Sequence, residues 1–137
     1  MRGRTVLAIS AALLLASCGG QEQPERPAPT APARPASTAE IRVIEPEPGA
    51  EVEGPDVRVE IELTGAELIE EVKQDLAPDE GHMHLKLDGE TITLLGTLEE
   101  VIPDVEPGPH LLEVEFVAAD HGPFHPRVVQ TIAFRVT

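Results

Sequence analysis

The stretch Val57-Arg58-Val59-Glu60-Ile61-Glu62-Leu63 decides the fold class of this chain. Apolar and charged residues alternate along it with a period of two, which predicts a strand with one buried face and one solvated face. Further strand candidates, separated by proline and glycine turn signals, are Ile41–Val43, Met83–Leu87, Thr91–Leu95, Leu112–Ala118, Ile132–Val136 and the weaker Leu98–Ile102. The chain is therefore predicted to be all-β.

The number and order of these strands favour an immunoglobulin-like antiparallel β-sandwich of about seven strands. One segment departs from the pattern, because Leu68, Ile69, Val72 and Leu76 recur at helical spacing. That spacing predicts a short helix over residues 66–76, within a loop of the sandwich.

The N-terminus has the features of a targeting segment. Arg2 and Arg4 precede the apolar run Val6–Leu15, which is too short to span a bilayer as a finished helix. Leu15-Ala16-Ser17-Cys18 then resembles a bacterial lipobox. The resemblance implies a signal peptide over residues 1–17 and lipidation of Cys18, and hence an extracytoplasmic protein anchored to the cell membrane or the outer membrane. An ordinary secretory peptide and an uncleaved anchor are the alternatives.

Residues 18–38 are predicted to form a disordered linker rich in proline and alanine. Its prolines block helices and sheet ladders and favour extended conformations; they are Pro24, Pro27, Pro29, Pro32 and Pro35. Residues 39–137 remain as one domain of ordinary size. The formal net charge of −15 argues against a nucleic-acid partner and against electrostatic adhesion to anionic lipids. Contact with the membrane is therefore expected through the lipid on Cys18.

The side chains that catalysis needs are scarce. Cys18 is the only cysteine, and Ser37 is the only serine beyond the predicted signal peptide. No Cys-His or Ser-His-Asp set can be assembled in the domain. Tryptophan and tyrosine are absent, so aromatic platforms for sugars or bases are missing as well. These observations predict a protein that is not an enzyme.

Histidine is the distinctive chemical resource of the domain. In an immunoglobulin-like sandwich the third strand pairs antiparallel with the sixth, which brings the start of one strand beside the end of the other. Four histidines are thereby expected at one end of the sandwich: His82, His84, His121 and His125. Neutral imidazoles outside the cytoplasm suit Cu(II) or Zn(II), so these four are the candidate metal ligands.

The neighbours of these histidines complete the hypothesis. Asp120 or Glu80 could supply a carboxylate that ligates the metal or that orients a histidine ring by accepting a hydrogen bond from it. Met83 alternates with His82 and His84, so its thioether is expected to point into the core. The alternative is that the histidines are structural, ordering a strand start and a proline-rich loop by hydrogen bonds. Copper-zinc superoxide dismutase also carries a His-X-His pair on a β-sandwich, but its paired cysteines are absent here.

Three motifs resemble an uncharacterised bacterial domain family. They are Gly81-His82-Met83-His84-Leu85, Pro107-Gly108-Pro109-His110-Leu111-Leu112, and Ala119-Asp120-His121 with the proline-rich loop after it. The resemblance implies an immunoglobulin-like sandwich in a secreted or lipid-anchored protein, and it implies no established activity. His110 occupies a motif position but is expected at the opposite end of the sandwich, which favours a structural role for it.

Two functions follow as expectations. The first is a lipid-anchored, non-catalytic envelope lipoprotein that acts as a binding or presentation module, with copper or zinc as the candidate ligand of the clustered histidines. The second is a structural or protein-interaction module of the envelope, in which the histidines only support the fold.

Overall fold

A computed structural model describes residues 33–137. The predicted signal peptide, Cys18 and most of the linker lie outside the described residues. The elements are β1 (Glu40–Glu45), β2 (Glu51–Val52), β3 (Val57–Thr64), β4 (Glu67–Leu68), β5 (Glu80–Leu87), β6 (Glu90–Leu95), β7 (Glu99–Ile102), β8 (Gly108–Ala118) and β9 (Pro123–Val136). Over this range no helix has the length and apolar character needed to cross a membrane.

The strands form two sheets that enclose a common core. The smaller sheet has the order β1-β3-β7, and the larger has the order β2-β9-β8-β5-β4, with β6 also pairing with β5. Pairing is antiparallel except for two short parallel contacts, β2 with β9 and β4 with β5. The fold is therefore the predicted immunoglobulin-like β-sandwich, with two additional two-residue strands.

The core consists of the inward-facing residues of both sheets. Val57, Val59 and Ile61 of β3 are buried against side chains of the larger sheet; these include Met83, Leu85, Leu112, Val114, Phe116, Phe124, Ile132 and Phe134. Met83 is fully buried, as the alternation along β5 predicts. Because successive side chains of a strand point to opposite faces, His82 and His84 lie on the outer face of the larger sheet.

The predicted helix over residues 66–76 is wrong. Its start forms β4 instead, and the amide of Ile69 donates a hydrogen bond to the carbonyl of Gly81 at 2.9 Å. The beginning of β5 has free backbone groups along this edge, and pairing with them satisfies the segment's own amides. Leu68 and Leu76 still pack against the core, but from an extended and irregular chain rather than from a helix face.

The pairing of β5 with β8 determines where the histidines lie. The two strands are antiparallel in a continuous register from Gly81 opposite Ala118 to Leu87 opposite Leu112. The start of β5 is therefore beside the end of β8, as the third-to-sixth strand pairing predicts. The last strand, β9, begins at Pro123, so His125 belongs to a strand and not to the connecting loop in which the sequence pattern placed it.

Candidate functional site

The connection between β8 and β9 is a tight turn that presents His121. The carbonyl of Ala118 accepts the amide of His121 at 2.8 Å, and the amide of Ala118 donates to the carbonyl of Gly122 at 2.9 Å. His121 has a φ of 61°, the left-handed conformation that closes three-residue hairpin loops and that glycine usually supplies. Histidine adopts it more readily than most residues, but the conformation is still uncommon for any side chain.

Three imidazoles meet above this turn. The rings of His82 and His121 are stacked, with centroids 4.2 Å apart and planes inclined by 12°. Nε2 of His84 lies 3.2 Å from Nδ1 of His121, with the ring centroids 5.4 Å apart. His121 is thus the centre of the group, since its face contacts His82 and its edge contacts His84.

The hydrogen bonds constrain the protons of these rings. Nε2 of His82 lies 3.2 Å from the carbonyl oxygen of Ala119. A carbonyl only accepts, so this nitrogen carries a proton. Between His84 and His121 one ring must donate to the other, which is impossible if both rings are doubly protonated. The pKa of His84 is lowered, mainly by burial and then by the neighbouring charge of His121. The neutral imidazole, which is the ligand form of histidine, is therefore favoured at His84.

A charged network adjoins the histidines on the same face of the sheet. Glu115 is opposite His84 on β8 and is only 4% exposed. Arg127 binds both carboxylate oxygens of Glu115, at 2.7 and 2.6 Å, and Lys86 binds Glu113 at 2.8 Å. The hydrogen bonds from Arg127 lower the pKa of Glu115. Glu115 therefore remains a carboxylate beside His84.

The sequence pattern does not reveal this charged network, for a definable reason. Glu113 and Glu115 occupy the outward positions of β8, which the alternation assigns to a solvated face. Arg127 reaches them across the β8–β9 pairing, because Glu115 is opposite Val129 and Arg127 lies two residues before Val129 on the same face of β9. That register is not readable from the alternation along β8, although a basic residue near two alternating acids is a usable hint.

The two carboxylates proposed as metal ligands or as acceptors for a histidine ring have other partners. Asp120 binds the guanidinium of Arg34 through both its oxygens, at 2.6 and 2.8 Å. These hydrogen bonds hold the pKa of Asp120 well below its usual range. Glu80 binds the ammonium of Lys73 at 2.7 Å. Both carboxylates are therefore engaged with cations.

His125 stands apart from the other three predicted ligands. It lies on β9 with an exposed side chain, and its amide donates to the carbonyl of Pro35 at 2.8 Å. Across residues 33–137, no group of three or more His, Cys, Asp or Glu side chains is arranged as a ready metal site. The close pair of ring nitrogens belongs to His84 and His121, because the stacked His82 turns its face, and not a nitrogen, towards His121.

His110 is at the other end of β8, as expected. Its Nδ1 lies 2.8 Å from a carboxylate oxygen of Asp88, and its Nε2 lies 2.8 Å from the carbonyl of Glu106. Both partners only accept, so both ring nitrogens carry protons. Asp88 raises the pKa of His110, and the amide of Leu111 followed by His110 lowers the pKa of Asp88. The ring of His110 thus ties the β5–β6 hairpin to the start of β8.

Comparison with known proteins informs the fold alone. No protein-family model matches the chain, and no curated protein matches it either. Among solved structures, the chain is similar to the fibronectin(III)-like modules of Clostridium thermocellum CbhA, with 11% identity and a TM-score of 0.51 over 74% of this chain and 47% of that one. An engineered protein solved at 1.98 Å is similar with 12% identity and a TM-score of 0.46, over 72% of this chain and 20% of that one. The chain spans less than half the length of either.

Proposed function

We propose that this protein is a lipid-anchored, non-catalytic binding module of the cell envelope that takes a divalent copper or zinc ion at the turn between β8 and β9. His84 and His121 supply the first two ligands. His82 supports the ring of His121 from its stacked position.

The observation that supports this proposal is the 3.2 Å separation of Nε2 of His84 and Nδ1 of His121. Two ligand nitrogens that each lie ~2.0–2.1 Å from one ion are themselves roughly 3 Å apart at tetrahedral or square-planar angles. The spacing therefore suits two ligands of the same ion, once the hydrogen bond between them opens. The lowered pKa of His84 favours the neutral ring that such an ion requires.

The absence of a thiolate from the domain narrows the choice of metal. Imidazole ligands suit Cu(II), Zn(II) and Ni(II), whereas Cu(I) prefers sulfur. Met83 is fully buried in the core, so its sulfur is directed away from the face that carries His82 and His84. Divalent copper and zinc are accordingly the ions that the proposal names.

Metal titration of the chain from residue 18 onward tests the proposal. Cys18→Ser in this protein removes both the lipid site and a competing thiol. We expect one equivalent of Cu(II) to bind with a Kd below about 1 µM, and His84→Ala and His121→Ala each to weaken binding at least about tenfold, since each removes one ligand. His110→Asn is the matched control and should bind as the parent does. Weak binding that the His84 and His121 variants leave unchanged refutes the proposal.

The membrane anchor is tested separately. Labelling of growing cells with a radioactive fatty acid should mark the full chain and not its Cys18→Ala variant. The Cys18→Ala variant is also expected in the soluble envelope fraction, because a chain this acidic is not attracted electrostatically to anionic lipid. Equal labelling of both proteins would exclude Cys18 as the acylated residue.

A structural or protein-interaction module is the second candidate. It is favoured by the fact that each clustered ring already has a partner in the protein, namely the Ala119 carbonyl for His82 and a neighbouring ring for His84 and His121. Affinity capture from membranes separates the two functions. A partner that is retained in the presence of a chelator and by the His84→Ala variant supports the interaction module.

A further inference from the structure

Arg34 clamps the turn that carries His121. Its Nη1 and Nη2 donate to the two carboxylate oxygens of Asp120 at 2.6 and 2.8 Å, and its Nε donates to the carbonyl of Pro123 at 2.7 Å. The guanidinium therefore holds both sides of the turn, one residue before His121 and two residues after it. Bidentate pairing of this kind fixes orientation as well as distance.

Residues 34–38, which we call the strap, are attached to the domain beyond Arg34. The carbonyl of Pro35 accepts the amide of His125 at 2.8 Å. The hydroxyl of Ser37 and the amide of Thr38 both donate to the carbonyl of Pro78, at 2.7 and 3.0 Å. The strap is the C-terminal end of the segment that the sequence assigns to the linker, so the linker enters the domain at its histidine end.

Gly122 makes the close approach of Arg34 possible. A Cβ atom on Gly122 would lie 2.6 to 2.9 Å from the guanidinium atoms of Arg34. Real Cβ atoms do not approach so closely, but the tip of an arginine moves away at little cost. A methyl group at this position would therefore displace Arg34 and leave the backbone of the turn in place.

We propose, on the basis of the metal site described above, that the strap holds the histidine turn in its metal-binding geometry, with Arg34 as the positioning residue. An uncommon backbone conformation such as that of His121 persists when its surroundings determine it, and Arg34 is bound on either side of it. Docking of the strap and binding of the metal are then coupled, and each strengthens the other by the same factor. Since the strap is the C-terminal end of the linker, occupancy of the metal site also controls how tightly that end of the linker is held to the domain.

Zn(II) titration of the chain from residue 18 with Cys18→Ser tests the coupling in one direction. We expect Arg34→Ala and Gly122→Ala each to weaken Zn(II) binding about tenfold, within the usual range of coupling between sites. Arg34→Lys keeps the charge without the bidentate geometry and should be intermediate. Arg42→Ala is the control. It removes an exposed arginine of β1 whose Nε lies 3.8 Å from a carboxylate oxygen of Glu62, and this variant should bind Zn(II) as the parent does.

Amide hydrogen exchange of His125 tests the other direction, because this amide donates to the strap at Pro35. Zn(II) should slow its exchange in the parent about tenfold, the same factor by which the strap strengthens Zn(II) binding, and should have no such effect in the Arg34→Ala variant. A purely structural Arg34 would change the exchange rate without metal and leave the effect of Zn(II) intact, which would overturn the proposal.

The results separate a failure of the metal-binding function from a failure of the role of the strap. If the parent does not bind Zn(II) through His84 and His121, the metal-binding function fails, and the role of the strap fails with it. If the parent binds and the Arg34 and Gly122 variants bind equally well, only the role of the strap fails. Tighter binding by Arg34→Ala would also overturn it, because the strap would then be withholding the Asp120 carboxylate from the metal; Arg34→Ala combined with Asp120→Asn identifies that case.

Discussion

Substitution of His121 by glycine and by alanine should separate the backbone of the turn from the ring it carries. His121 has a φ of 61°, and this left-handed conformation costs a residue with a Cβ atom roughly 1–2 kcal/mol that glycine does not incur. Alanine keeps that cost and loses the ring. Glycine loses the ring but is relieved of the backbone cost.

The expected magnitudes follow from the contacts of the ring. The hydrogen bond to His84 contributes about 1 kcal/mol, and the stack on His82 contributes roughly 0.5–1.5 kcal/mol. His121→Ala should therefore lower the free energy of unfolding by about 2 kcal/mol. In His121→Gly the relief of the backbone, roughly 1–2 kcal/mol, offsets this loss. About 0.4–1 kcal/mol of that relief is cancelled, because glycine has more freedom in the unfolded chain. The glycine variant should thus be about 1 kcal/mol more stable than the alanine variant.

Urea unfolding and thermal melting measure this difference. A gap of about 1 kcal/mol corresponds to roughly 4–8 °C in Tm for a domain of this size. Both variants should bind Cu(II) at least about tenfold more weakly than the parent does, because each lacks the ring of His121. The glycine variant is thus expected to be folded but impaired in binding. Equal stability of the two variants, or greater stability of the alanine variant, would refute the left-handed conformation of residue 121 and the reasoning built on it.

Three further predictions concern the sandwich. In Gly81→Ala the new Cβ would clash with the Val117 carbonyl, so the free energy of unfolding in urea should fall by about 3 kcal/mol. The control Gly96→Ala has open space around it and should change that free energy by no more than about 0.5 kcal/mol. A mild effect of Gly81→Ala would contradict the β5–β8 register. Arg127→Ala leaves the nearly buried Glu115 without its main partner and should lower the free energy of unfolding by about 2 kcal/mol in chemical denaturation. The control Arg42→Ala should lower it by about 0.5 kcal/mol or less. Similar losses in the two variants would argue against a buried carboxylate at Glu115. Asp88 raises the pKa of His110 above 6.5, so the stability from the charged His110 is complete below pH 6.5 and is lost as the pH rises through the pKa of His110 in the folded protein. The pKa of Asp88 is lowered below 3.8, so the stability from its carboxylate is present above pH 3.8 and is lost in more acidic solution. The stability difference between the parent and His110→Asn should accordingly be largest near pH 5 and smaller at pH 8.5, and a difference that does not change with pH would exclude the charged pair.

The strands were predictable because their information is local. Alternation along residues 57–63, and again from Met83 to Leu87, depends only on which face of each strand is buried, and the structure buries those faces. The helix over residues 66–76 failed because its apolar spacing is compatible with more than one backbone. The free edge of β5 decided between them, and the edge of the next strand is not visible in the segment itself.

The candidate site was predictable in part. The approach of His82 and His84 to His121 follows from the pairing of β5 with β8, which the fold class implies. The position of His125 did not follow, because β9 extends back to Pro123 and carries that residue into a strand. The engagement of Asp120 by Arg34 also could not be predicted, since proline-rich composition says nothing about where the end of a linker docks.

The sequence by itself determined the sheet-forming segments, the acidic outer faces, the scarcity of cysteine and serine, and the presence of histidines near one end of a sandwich. Each of these depends on residue type and on spacing along the chain. Only the tertiary structure decided that His121 takes a left-handed turn, that its ring meets His82 and His84, and that Arg34 and Arg127 neutralise the carboxylates nearby. Those contacts join residues far apart in the chain, so they depend on strand register and on the local irregularities of the sheet, and a period of two along the sequence records neither.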